Sequence, residues 1–118
     1  MAYAKTTALH SQIEAIAEAQ KLDSYFATQG EQLSQLVETI VPFMMLLDLS
    51  GQDSGWMFRH ISTVKSMKSE FPIVGLVADD EDAMRERAER YGCNVVLTKK
   101  ELPKRLPKVI QAALEKRL

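Results

Sequence analysis

Two charged side chains lie at or just after the ends of apolar segments, and they are the first candidates for functional residues. Asp48 lies near the end of the apolar segment 43–49, and Lys99 comes shortly after the apolar segment 94–97. A carboxylate and an ammonium that meet at strand ends can form a structural salt bridge. A carboxylate can also ligate Mg²⁺, although Asp48 alone makes a poor site because this ion prefers several oxygen ligands. A purely structural Asp48, held by backbone donors or by Lys99, is therefore one interpretation.

The other chemistry-bearing residues favour structural roles. His10 and His60 are isolated from other metal-binding side chains, and Cys93 is expected to be a small buried side chain. The acidic run 79–82 suits a helix N-terminus, where Asp79 or Asp80 would cap the helix. The glycine-containing turn 50–55 lacks the lysine and the spacing of a phosphate-binding loop. No Cys/His or Ser/His/Asp grouping assembles at the predicted strand ends, so we expect no enzyme activity.

The apolar pattern predicts five strands that alternate with five helices. The predicted strands are 2–6, 24–28, 43–49, 72–78 and 94–97, of which the first is the weakest. The segments 43–49 and 72–78 are apolar almost throughout, which is typical of central parallel strands covered on both faces by helices. This order predicts an α/β fold with a doubly wound, five-stranded parallel sheet of the flavodoxin-like (β/α)5 type. Functional residues of such sheets lie beyond the carboxyl ends of the strands.

Length, composition and charge give no support for a membrane, secreted or nucleic-acid-binding protein. The 118 residues fit a single domain spanning 1–118, and the net charge of −1 gives no reason to expect a nucleic-acid or membrane partner. No apolar run approaches the length of a membrane helix, and the first residues lack the apolar core of a signal peptide. The single cysteine suits a reducing compartment. We therefore expect a cytoplasmic protein.

Three segments in this order resemble the receiver domain of two-component response regulators. They are FMMLLDLS (43–50), PIVGLVADDEDAMRERAERYGC (72–93) and NVVLTKK (94–100). The resemblance implies that Asp48 stands where receivers carry the aspartate that accepts a phosphoryl group. It also implies that Lys99 stands where a lysine pairs with the phosphoryl oxygen, although Lys100 replaces the proline that usually follows.

Other positions depart from the receiver pattern. Val77 stands where the resemblance implies a threonine or serine, and Val96 stands where it implies an aromatic switch residue. Lys5 and Thr6 lie where two acidic residues would hold Mg²⁺. Lys5 can instead pair with Asp48 and replace the ion. These departures predict a degenerate receiver, or pseudo-receiver: a non-catalytic signalling module without a cofactor that is not phosphorylated in the usual way.

Two alternatives stay open. In an atypical but functional receiver, Asp48 would be phosphorylated, with Mg²⁺ held by Asp53, Asp79 or Asp80 from the loops. Similar sheets also bind flavin or cobalamin, but the chain has neither a histidine in the loop after the first strand nor a hydroxyl-rich phosphate loop.

A pseudo-receiver must act through protein–protein contacts. Trp56 and Phe58, at the start of the third helix, are candidate partner contacts if both side chains face outward. The fourth helix is acidic and the last helix is basic. These two helices and the fifth strand are therefore a candidate homodimer interface, because a two-fold axis would pair unlike charges.

Overall fold

The computed structural model describes residues 1–27, 33–40, 42–51 and 55–115. Their helices and strands alternate along most of the chain. In order they are β1 (Ala2–Tyr3), α1 (Thr7–Ala19), α2 (Leu33–Ile40), β2 (Met45–Asp48), α3 (Gly55–Met67), β3 (Ile73–Val77), α4 (Asp82–Tyr91), β4 (Val95–Thr98) and α5 (Leu102–Leu114). No helix in this part of the chain is long and apolar enough to cross a membrane.

The four strands form one parallel sheet in the order β1-β2-β3-β4. The predicted strand 24–28 is reduced, among the described residues, to one parallel bridge between Phe26 and Ala2, and Thr28 lies outside them. Ala2 N–H donates to Tyr25 O (2.8 Å) and Ala27 N–H donates to Ala2 O (2.9 Å). The partner strand β1 has only two residues, which limits the pairing.

With Phe26 counted as the remnant of a strand, the sheet has the spatial order of flavodoxin-like folds, in which the second strand lies outside the first. The predicted α/β fold with a parallel sheet is confirmed.

Helices cover both faces of the sheet, and alternate residues of each strand point to opposite faces. On one face Met45 and Leu47 of β2 pack in a cluster with Met57 and Ile61 of α3. On the other face Leu46 packs with side chains of α1 and α5. All residues of β2 and β3 are buried, which explains why both strands are apolar almost throughout.

The residues at the helix ends have specific hydrogen bonds or backbone conformations. Thr6 caps α1, and its Oγ1 accepts from Leu9 N–H at 3.2 Å. The predicted capping of α4 by Asp79 or Asp80 is wrong, because the N-cap residue is Glu81. Gly92 ends α4 with φ of 123°, a conformation that L-residues rarely adopt. Cys93, next in the chain, is buried as expected, and burial raises the pKa of its thiol to about 12.

Candidate functional site

Asp48 is the last residue of β2, and its side chain is completely buried. Its Oδ1 accepts hydrogen bonds from the backbone N–H (3.1 Å) and the hydroxyl (2.6 Å) of Ser50. Its Oδ2 accepts from the backbone N–H of Lys5 at 3.3 Å and lies 3.8 Å from Lys99 Nζ. A carboxylate has about four acceptor positions, so the chain itself supplies a polar neighbour for each of them.

The structure brings two of the residues singled out in the sequence, Lys5 and Lys99, to this carboxylate or to its neighbour Ser50, and it places Thr6 at the start of α1. Lys5 follows β1, and its ammonium donates to the backbone carbonyl of Ser50. Lys99 follows β4, and its half-exposed side chain reaches Asp48 from the opposite side. Thr6, which is exposed, caps α1.

Val77 and Val96 are both buried in the sheet and have no polar side-chain atom for the site. Val77 ends β3 and is 1% exposed, and Val96 lies in β4 and is 6% exposed. The backbone carbonyl of Val96 faces Arg85 of α4, whose Nη1 lies 3.4 Å away. These two positions can support neither a hydroxyl contact nor an aromatic switch.

Ser50 and Glu81 are site residues that the sequence reasoning missed. Ser50 is buried and supplies both donors to Asp48 Oδ1. Glu81 Oε1 accepts from Ala78 N–H (2.8 Å), and its Oε2 accepts from Gly51 N–H (3.2 Å). This carboxylate therefore joins the loops that follow β2 and β3. Ala78 and Glu81 have the spacing of a capping box but lack its hydroxyl, so the sequence offered no clear signal for this contact.

Glu101 also accepts a hydrogen bond from the backbone, here from the last residue of β4. It too was not predicted from the sequence as a site residue. Glu101 Oε1 accepts from Thr98 N–H at 3.0 Å, and Thr98 Oγ1 accepts from Glu101 N–H at 3.3 Å, which is a reciprocal capping box. Arg85 of α4 and Arg105 of α5 also contact the carboxylate, at 3.4 and 2.6 Å. The hydrogen bonds from the Thr98 backbone and from Arg105 lower the pKa of Glu101 from 4.5 to about 2.

The residues at this edge do not fit the Mg²⁺ that a complete receiver site would hold. Mg²⁺ requires a near-octahedral set of oxygen ligands. Asp48 and Glu81 already accept hydrogen bonds from the chain, and Asp79 pairs with Lys100 at 3.4 Å. Within the described ranges no three His, Cys, Asp or Glu side chains are grouped as metal ligands would be. Of the other two candidate ligands, Asp80 is exposed and Asp53 lies outside these ranges.

Trp56 and Phe58 do not form the outward-facing aromatic pair that was considered. Phe58 is 1% exposed, so its prediction as a partner contact is wrong. It packs in the core, under Arg87 Cζ at 4.4 Å from the ring centroid, because its position on α3 points toward the sheet and α4. Trp56 is half-buried, with its ring edge-on to Tyr3 at 5.3 Å. In the described part of the chain no acceptor meets its buried Nε1–H.

No family model and no curated protein matches the sequence. Solved structures do match. They include a CheY-like response regulator receiver domain protein from Methanospirillum hungatei JF-1 (TM-score 0.79, 16% identity, 98% of this chain and 92% of that chain). They also include the CheY-like protein tadZ from Pseudomonas aeruginosa PAO1 (TM-score 0.79, 13% identity, 95% of each chain).

NtrX from Brucella abortus, solved in complex with ADP, matches with a TM-score of 0.82 and 18% identity. The match covers 98% of this chain but 26% of NtrX, so the chain spans about a quarter of that protein. At these identities the likeness concerns the fold. The chain has the α/β fold of CheY-like response regulator receiver domains.

Proposed function

We propose that this protein is a regulatory signalling module of the receiver type that is not phosphorylated on Asp48 in the usual way. It performs no catalysis and acts in the cytoplasm through protein–protein contacts. The observation that carries the proposal is the closed surrounding of Asp48, whose two carboxylate oxygens face donors from Lys5, Ser50 and Lys99 in a fully buried position.

The chemistry of phosphoryl transfer supports this proposal. The transferred group is stabilised mainly by positioning and by neutralisation of its charge, usually with a metal ion. Here the carboxylate would first have to give up its hydrogen bonds to the chain. Val77 has no hydroxyl that could bind the oxygens of a phosphoryl group on Asp48. Val96 has no aromatic side chain that could change its position in response to that group. The receiver fold is then a scaffold with a permanently set conformation.

The proposal is tested by exposure to a small phosphoryl donor. The protein is incubated with acetyl phosphate and Mg²⁺, or with beryllium fluoride and Mg²⁺, while intact mass and the fluorescence of Trp56, the only tryptophan, are followed. We expect no mass gain and no saturable fluorescence change. The Asp48→Asn variant is the matched control. A saturable response of the wild type that this variant loses would show a phosphate-accepting receiver and overturn the proposal.

We also propose a homodimer through α4, β4 and α5. Exposed acids at the N-terminal end of α4, among them Asp80 and Asp82, support it, as do exposed Lys104 and Lys108 on α5. Across a two-fold axis the acidic end of α4 in one copy would face the basic α5 of the other. Lys116 and Arg117, which also belong to the basic end of the sequence, lie outside the described residues. Trp56, the remaining aromatic candidate, stays a predicted contact for a different protein partner.

A further inference from the structure

Lys5 contacts the end of β2 through two different donors. Its backbone N–H donates to Asp48 Oδ2, and its side-chain ammonium donates to the backbone carbonyl of Ser50. These acceptors are a carboxylate and a carbonyl, the oxygen types that hard divalent cations prefer. The ammonium of a lysine is a compact point charge that can occupy such a position.

We propose that Lys5 is a built-in cation that replaces a divalent metal ion at this edge and excludes it. The inference rests on the proposed function and deepens it, because a covalently attached cation cannot be lost or exchanged. The site would then be independent of the metal concentration around it. Its charge would be set by the chain alone.

The charges at this edge oppose the binding of a divalent ion. The Lys99 ammonium lies 3.8 Å from Asp48 Oδ2, and the Lys5 ammonium donates to the carbonyl of Ser50, so two cations lie near the Asp48 carboxylate. A divalent ion that approached Asp48 would meet two ammonium groups in a partly buried setting, where charges are screened less than at the surface. Repulsion therefore opposes metal binding at this edge.

The oxygen atoms that could bind a metal ion at this edge already accept hydrogen bonds. A metal ion needs acceptor oxygens that are not already engaged, and Lys5 engages one oxygen from Asp48 and one from Ser50. A change of Lys5 to an acid would remove the ammonium and release the Ser50 carbonyl, while the backbone N–H of residue 5 would still donate to Asp48. It would also place a carboxylate where the ammonium now lies, near Ser50. The edge would then carry two carboxylates and a carbonyl, a donor set suited to Mg²⁺ or Mn²⁺.

The test is a titration with Mn²⁺, followed by the electron paramagnetic resonance signal of the free ion. We expect no saturable site in the wild type and a saturable site in Lys5→Glu, which should bind Mn²⁺ at least tenfold more tightly than the control Lys21→Glu does. The gain should disappear in Lys5→Glu combined with Asp48→Asn. Lys21→Glu is the matched control, because it makes the same charge change on an exposed residue beyond the other end of α1.

Circular dichroism establishes that each variant is folded. If Lys5→Glu does not fold, Lys5→Gln takes its place in the titration, because it removes the charge with little change of shape. Lys5→Gln should bind Mn²⁺ more tightly than Lys21→Gln does. The proposal is overturned if the wild type binds Mn²⁺ through Asp48, or if folded variants at position 5 gain no affinity over their controls. Failure of the proposed function has a different signature, namely covalent phosphorylation of Asp48 in the acetyl phosphate experiment.

Discussion

Asp48 is a fully buried carboxylate at the end of the central strand β2. A buried carboxylate is costly unless hydrogen bonds and opposite charge compensate its lost hydration. Donors from the loops after β1, β2 and β4 supply this compensation, through Lys5, Ser50 and Lys99. The carboxylate therefore joins three segments that are distant in the sequence.

Asp48→Asn should destabilise the fold. The amide keeps the shape of the side chain, but its NH₂ group faces the donors of Lys5 and Lys99 and leaves the Lys99 ammonium without its partner. We expect a loss of about 1–3 kcal/mol in the free energy of unfolding, measured by urea denaturation. Asp80→Asn, at an exposed position, should change it by no more than about 0.5 kcal/mol. Equal effects of the two substitutions would contradict a structural role for Asp48.

At the scale of elements, the helices that flank β4 are joined through one carboxylate. Glu101 contacts Arg85 of α4 and Arg105 of α5, and it caps the turn between β4 and α5. Arg85 also reaches the carbonyl of Val96 in the edge strand β4. This network joins α4, β4 and α5 through side-chain contacts.

Glu101→Gln should reveal this network through its pH dependence. The pKa of Glu101 is lowered from 4.5 to about 2 in the folded protein, so the charged carboxylate stabilises the fold fully above pH 4.5, and this contribution is lost as the pH falls toward 2. The variant should be less stable than the wild type at pH 7, and the difference should shrink in acid. Unfolding by urea at a series of pH values measures it. Glu86→Gln, on the exposed side of α4, is the control, and a difference independent of pH would refute the assignment.

Two glycines at helix ends should respond oppositely to alanine. Gly92 has φ of 123°, and an added Cβ would lie 2.8 Å from Lys65 Cγ, so Gly92→Ala should cost about 1–3 kcal/mol. Gly55, the first residue of α3, has no atom within 4 Å of an added Cβ. Gly55→Ala should leave stability unchanged or raise it by up to about 1 kcal/mol, because alanine favours helix. Thermal unfolding of both variants tests the pair, and equal losses would contradict the assigned role of Gly92.

At the scale of the whole molecule, the charges are nearly balanced overall but unevenly placed. The net charge is −1, whereas the acidic run 79–82 lies at the N-terminal end of α4, and α5 carries two lysines and an arginine without an acid. Such a separation gives a protein a directional field although its total charge is small. The proposed homodimer is the arrangement in which these two surfaces compensate each other.

Sedimentation velocity at low and high salt should detect this dimer. We expect self-association at low salt that weakens as salt screens the charges. Lys104→Glu combined with Lys108→Glu should abolish it, because both changes place acids opposite acids. Lys21→Glu combined with Lys68→Glu makes the same charge change on exposed residues away from this surface. A monomer at high protein concentration at both salt levels would dispose of the dimer.

The order of elements and the position of Asp48 at a strand end could be predicted from the sequence alone. The reason is that both depend on local patterns. Helical spacing placed Met57, Ile61 and Val64 on the buried face of α3, and continuous apolar runs identified β2 and β3 as central strands. Because parallel strands end at one edge of a sheet, Asp48 and Lys99 could be expected near each other.

Only the tertiary structure decided which groups surround Asp48 and which side chains are buried. The contacts of Lys5 with Asp48 and Ser50, and of Glu81 with Gly51, join loops 30 or more positions apart. They depend on the register of β1 and β2 and on loop conformations that no local pattern records. The burial of Phe58 likewise depends on which helices meet beside it. Helical and strand periodicity place residues on faces, but the hydrogen-bond partners of a polar group are set by segments that the fold brings together.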